Sequence, residues 1–72
     1  MTYTKSHLQL AMWHVVEGER HVTRQRELVS KLAEAAYPTE QATELLDLLE
    51  TTLALHRRHL DHILAELDLV PH

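Results

Sequence analysis

The chain has 72 residues and no cysteine, and 7 Lys and Arg against 11 Asp and Glu give a net charge of −4 with neutral histidine. A chain this short buries only about 60% of its unfolded surface, so a single small core is marginally stable. The absence of cysteine excludes disulfides and thiolate metal sites, which leaves self-association or a histidine-bound metal as sources of added stability. The acidic balance argues against nucleic acid and anionic membranes as partners, because both attract basic patches.

The composition predicts an all-α protein in one domain over residues 1–72. Good helix formers such as Leu, Ala, Glu and Gln are abundant, whereas one Gly and two Pro offer little turn chemistry. No apolar run approaches the ~18–20 residues of a membrane span, and the first residues lack the apolar stretch of a signal peptide. We therefore expect a soluble, cytoplasmic protein.

The first helix is predicted over residues 5–36, with Thr4 or Ser6 as its N-cap. Its apolar residues recur every three or four positions, which is the period of an amphipathic helix. This stripe contains Leu8, Ala11, Val15, Val22, Val29, Leu32 and Ala36, with Gly18 and Gln25 in its gaps. Gly18 costs about 1 kcal/mol of helix propensity, so we expect it to allow a neighbouring helix or side chain to approach closely, with room for a ligand as the alternative.

The break in the helical pattern is Tyr37-Pro38-Thr39. Pro38 disfavours the α conformation at Tyr37, so the first helix should stop near Ala36. Thr39 is then the predicted N-cap of a second helix over residues 40–68. A connection of about three residues, 37–39, forces the two helices to pack as antiparallel neighbours.

The second helix has a wider apolar surface than the first. Its stripe contains Ala42, Leu45, Leu46, Leu49, Leu53, His56, Leu60, Ile63 and Leu67, and Leu48, Leu55 and Leu64 widen it on both sides. Leucines around more than half of a helix need a second partner surface. We expect a homodimer that forms a four-helix bundle, with a tetramer or another helical protein as alternatives. Trp13, on the far side of the first helix, is expected to contribute to such a surface or to cover the end of the bundle.

Seven histidines are the chemical feature of the sequence. His7, His14 and His21 recur every seven residues, so they share one edge of the first helix. On the second helix His56 occupies a core position, His59 lies at the edge of the stripe, and His62 should face water. Antiparallel pairing centred on Pro38 places His21 level with Leu55 and His56, Gly18 level with Arg58 and His59, and His14 level with His62.

Three hypotheses explain these histidines. In the favoured one, His56 is a buried core residue hydrogen-bonded to Gln25 or to a symmetry-related histidine. In the second, His14, His21, His56 and His59 bind haem or a transition metal such as zinc, because imidazole suits such metals and bundle interiors hold such sites. In the third, the assembly responds to pH, since protonating all seven histidines moves the net charge from −4 to +3 and should weaken the assembly below about pH 6.

The sequence carries no pattern typical of an enzyme: there is no Ser/His/Asp order and no glycine-rich phosphate loop. We expect a non-enzymatic structural or protein-interaction role. The segments His14–Arg20, Gln25–Leu28 and Thr52–His56 resemble a group of short, uncharacterised bacterial helical-hairpin proteins with no established activity. The resemblance covers residues 14–67, and it implies a bacterial origin and little about function.

Overall fold

The computed structural model describes residues 3–67, which form two α-helices packed against each other. These are α1, Lys5–Glu34, and α2, Glu40–Glu66, and the described residues contain no strand. Glu19 pairs with Arg57 and Arg26 pairs with Glu50, so residue numbers fall along α2 as they rise along α1, and the helices run in opposite directions. The predicted all-α architecture of two packed helices is confirmed. Neither described helix is both long and apolar enough to span a bilayer.

The start of α1 is fixed by a reciprocal capping box between Thr4 and His7. The backbone N–H of His7 donates to Thr4 Oγ1 at 3.2 Å, and the backbone N–H of Thr4 donates to His7 Nδ1 at 3.1 Å. These bonds satisfy amide groups that the first turn of a helix leaves without partners. Thr4, one of the two predicted candidates, is therefore the N-cap. His7 completes the capping box.

The end of α1 differs from the prediction, because the helix stops at Glu34 rather than Ala36. Ala36 has a φ of 60°, and its N–H donates to the carbonyl of Ala33 at 3.1 Å. The N–H of Tyr37 donates to the carbonyl of Leu32 at 2.9 Å. This pair of bonds is a Schellman motif, which usually places glycine at the left-handed position. Because this position holds alanine rather than glycine, the sequence did not indicate that α1 ends at Glu34.

α2 begins at Glu40, directly after the predicted N-cap Thr39. The Thr39 side chain makes no capping hydrogen bond, although its carbonyl accepts from the N–H of Thr43 at 2.8 Å. Glu40 places a negative charge in the first turn, where the helix dipole stabilises it. α2 ends at Glu66 with Leu67 as its C-cap, whereas the predicted end at Asp68 lies outside the described residues.

The interior of the hairpin is a single narrow seam. The buried apolar side chains of the described residues are Ala11, Val22, Leu53 and Ile63. Gln25 is buried among them, and its Nε2 donates to the backbone carbonyl of Ala42 at 2.9 Å. The molecule measures 50 × 21 × 14 Å, so it is two helices wide and one helix thick. Such a shape leaves most of each helix outside the seam.

Gly18 contacts Leu53 at the centre of the seam. A Cβ added to Gly18 would lie 3.0 Å from Leu53 Cδ1. The expectation that Gly18 allows close packing is correct, but the side chain that contacts it is Leu53 rather than the predicted Arg58 or His59.

The register predicted from the turn holds on the side of the hairpin where Glu19 meets Arg57. It is wrong by six residues at His14, which meets His56 instead of His62. The connection between the two helices spans residues 35–39.

One broad side of the hairpin carries ion pairs, and we call it the ion-pair face: Glu19, Arg26, Glu50 and Arg57. Arg26 Nη2 lies 3.5 Å from Glu50 Oε1, and Arg57 Nη2 donates to Glu19 Oε2 at 3.3 Å. All four side chains are at least two-fifths exposed, so each pair contributes well under 1 kcal/mol. This face suits contact with water.

Candidate functional site

The opposite broad side combines histidines with leucines. We call it the histidine–leucine face, and it consists of Leu10, His14, His21, Leu28, Leu45, Leu49 and His56. Two clefts indent it, of about 290 Å³ and 160 Å³. The larger is lined by His7, Leu10 and His59 among others, and the smaller by His21 and Leu49 among others. His14 and His56 line both clefts, so they form the ridge between them.

His14 and His56 stack across the two helices. Their ring centroids are 4.9 Å apart and their planes differ by 8°. Both side chains are half-buried. The indole of Trp13 meets the His14 ring at 5.2 Å with an interplanar angle of 65°. The packing of Leu53 on Gly18 brings the helices close enough for this stack.

The predicted hydrogen bond between His56 and Gln25 is wrong, because Gln25 donates instead to Ala42. In one chain His56 is half-buried, and its predicted bond to a symmetry-related histidine stays a prediction. Within residues 3–67 the imidazoles of His14 and His56 make no hydrogen bond to the protein. Their ring nitrogens are therefore available to water or to a ligand.

The four histidines of the predicted metal site do not meet at one point. His14 and His56 are in contact, whereas His21 lines the smaller cleft and His59 the larger one, on opposite sides of the pair. In the described part of one chain, no three His, Asp or Glu side chains are grouped so that they could hold a metal ion. Within residues 3–67, no third protein ligand therefore completes a metal site that includes this pair.

Tyr3 is the residue of this region that the sequence did not indicate. Its ring meets those of His7, His59 and His62 edge-on, with centroids 5.8–5.9 Å apart. It covers the open end of the hairpin, and it also lines the larger cleft. Tyr3 precedes α1, so no helical periodicity could have placed it. His62 is exposed as predicted, and its Nε2 lies 3.9 Å from Glu66 Oε1.

Glu17 is the acidic residue beside the histidine pair. It lines the smaller cleft, and its Oε1 accepts a hydrogen bond from Arg20 Nη1 at 3.2 Å. Its side chain is 26% exposed, which is less than that of any other paired carboxylate of the described residues. The smaller cleft thus holds imidazoles, one carboxylate and leucine side chains.

Comparison with known proteins assigns no family. The sequence matches no protein-family model, and no curated protein or solved structure matches it. The resemblance to short bacterial helical-hairpin proteins stays a prediction. The function must therefore be argued from the two faces of the hairpin.

Proposed function

We propose that this protein is a non-enzymatic, self-associating helical hairpin with a structural or protein-interaction role. Two copies pack their histidine–leucine faces together and form a four-helix bundle, while the ion-pair faces stay in water. The observation that carries this proposal is the contrast between the two faces within residues 3–67. One face has charged pairs across the seam, and the other has leucines and imidazole rings and no ion pair across the seam.

Exposed apolar side chains are numerous for so small a protein. Leu10 is 54% exposed, Leu28 and Leu45 are each 45% exposed, and Trp13 is 56% exposed. Single exposed apolar residues are ordinary, but a continuous apolar surface marks an interaction site. Complete burial of a fully exposed side chain of this kind contributes about 1.5–3 kcal/mol, so covering a half-exposed one contributes about half of that. The thin seam of the hairpin gains few such contributions, so the second copy supplies much of the core.

Helix geometry directs the histidine pair toward the centre of such a bundle. In a four-helix bundle each helix has two neighbours, so the bundle axis lies about 45° to one side of the hairpin seam. At ~100° per residue, His14 lies about 40° from Gly18 on α1, and His56 about 60° from Leu53 on α2. Gly18 and Leu53 mark the seam, and both histidines are displaced toward the same face.

The area of the face is sufficient for a stable interface. The broad side measures 50 by 21 Å, and standard interfaces bury about 800 Å² per partner. The chain exposes 5735 Å², whereas a compact monomer of 8.4 kDa exposes about 4,600 Å². The excess surface is of the order that one such interface covers.

A pair of neighbouring substitutions tests the proposal. Leu10 and Met12 have similar exposure, 54% and 49%, but two residues on a helix point about 160° apart. Leu10 lines the larger cleft of the histidine–leucine face. Leu10→Glu should therefore dissociate the dimer, and Met12→Glu should leave it intact. Light scattering coupled to gel filtration measures the mass of each, and circular dichroism checks that each stays helical.

Two results would overturn the proposal: a wild-type chain that stays monomeric at high concentration, or a dimer that Leu10→Glu and Met12→Glu weaken equally. A measured mass of four chains would support the dimer and indicate a second interface. Leu48 and Leu55 are available for it, because they are 61% and 57% exposed and lie outside the histidine–leucine face on α2. Those leucines would then form the second interface of a tetramer.

A further inference from the structure

The stacked histidine pair has a position in the proposed bundle that no other pair of the described residues shares. Seven-residue spacing places one column of side chains from each helix on the axis side of the hairpin. The columns are His7, His14, His21 and Leu28 on α1, and Ala42, Leu49, His56 and Ile63 on α2. His14 and His56 are in contact across the columns, whereas His21 shares its cleft with Leu49. One layer of the bundle therefore has histidine on both helices.

We infer that this layer is a metal site shared by two copies of the chain, in which His14 and His56 of each copy bind one transition-metal dication. The inference rests on the proposed self-association, because one chain supplies two imidazoles and the site is incomplete without the second copy. Two copies related by a two-fold axis parallel to the helices supply four imidazoles at one level. This arrangement requires the two turns to lie at the same end of the bundle.

The chemistry of the layer fits zinc and its neighbours. Four imidazole nitrogens form a tetrahedral site, with Zn–N distances of about 2.0–2.1 Å. The two ligand nitrogens from one chain must then lie about 3.4 Å apart. Rings whose centroids are 4.9 Å apart reach that separation by rotation of their side chains. Neither ring needs to break a hydrogen bond to the protein within residues 3–67.

The apolar surroundings of the layer favour binding of a metal ion by the imidazoles over binding of water. Leu10 and Ala11 line the cleft on one side of the pair, and Leu49 and Leu53 line the cleft on the other. These apolar walls become the interior of the bundle when the second copy docks. Neutral imidazoles left without partners in such an interior are unfavourable, and a metal ion satisfies one nitrogen of each ring.

The experiment titrates zinc sulfate into chelator-treated wild-type protein and measures the dimer association constant by sedimentation equilibrium. We expect one ion per two chains and an increase in the association constant of at least about tenfold at saturating zinc. Cobalt(II) gives an independent readout, because a tetrahedral site produces intense visible absorption bands whereas hydrated cobalt does not. His14→Ala and His56→Ala should each abolish both signals.

His62→Ala is the matched control, since His62 is exposed and lies outside the pair. It should retain the stoichiometry and the cobalt spectrum. His14→Gln is a second variant for the case in which His14→Ala does not fold, and circular dichroism of each variant measures its helix content. Zinc binding that survives His14→Ala, or one ion bound per single chain, would overturn the shared site.

The outcomes separate this inference from the proposed self-association. A dimer that forms without metal, dissociates in Leu10→Glu and has the same association constant with and without zinc would overturn the metal site alone. A chain that stays monomeric with and without zinc would overturn both. A monomer that zinc converts to a dimer, with cobalt in tetrahedral geometry, would support the shared site and make the assembly metal-dependent.

Discussion

Replacing Gly18 with alanine should destabilise the hairpin or leave its stability unchanged, although alanine is the better helix former. The gain in helix propensity is about 1 kcal/mol. Against it, the new Cβ would lie 3.0 Å from Leu53 Cδ1, which is closer than ordinary van der Waals contact. Leu53 is 5% exposed, so its side chain has little room to move. Overfilling a packed site costs about 1–3 kcal/mol, which cancels or exceeds the gain.

A double-mutant cycle isolates the contact. In a Leu53→Ala background the opposing methyl group is gone, so Gly18→Ala should stabilise the protein by the full propensity gain of about 1 kcal/mol. The coupling between the two positions should therefore be about 1–3 kcal/mol. Thermal unfolding followed by circular dichroism measures all four proteins. Chain concentration must be equal throughout, because association shifts the midpoint.

Equal stabilisation of the wild type and of the Leu53→Ala variant by Gly18→Ala would contradict this prediction. That result would show that α1 and α2 are not held together at this point. For a protein of this size, 1 kcal/mol moves the unfolding midpoint by roughly 4–8 °C, so the difference is measurable.

A further prediction concerns the turn. Ala36→Gly should raise the free energy of unfolding by about 0.5–1 kcal/mol, because the left-handed conformation costs alanine about 1–2 kcal/mol and glycine's freedom in the unfolded chain returns part of that. Ala35→Gly, at a φ of −85°, is the control and should lower it. Thermal unfolding followed by circular dichroism measures both, and a loss of stability in Ala36→Gly would contradict the left-handed assignment.

The periodicity of the sequence predicted the helices well, because apolar spacing and proline act locally. Residue type and position alone predicted Thr39 as one N-cap and Thr4 or Ser6 as the other, and the N-caps in the structure are Thr39 and Thr4. The end of α1 was missed because Ala36 adopts a conformation that normally requires glycine. Local sequence rules have no means to foresee an alanine in that position.

The contacts across the seam could be predicted from the turn only in part. Both ion pairs that cross the seam have the predicted register, as Glu19 and Arg57 show. The same register placed His14 opposite His62, whereas His14 stacks on His56. The residues of the candidate pair were both identified in advance, but their pairing was not. The number of a residue gives its level along a helix and not the direction in which its side chain reaches, so pairs of ring side chains depart from the register.

Sedimentation equilibrium of the chelator-treated wild type measures whether two chains associate through the histidine–leucine face. We expect twice the 8.4 kDa mass of one chain over a wide range of concentration, and dissociation to monomers when Leu10 is replaced by Glu. A wild type that keeps the mass of one chain up to millimolar concentration, with zinc as well as without it, would contradict this association.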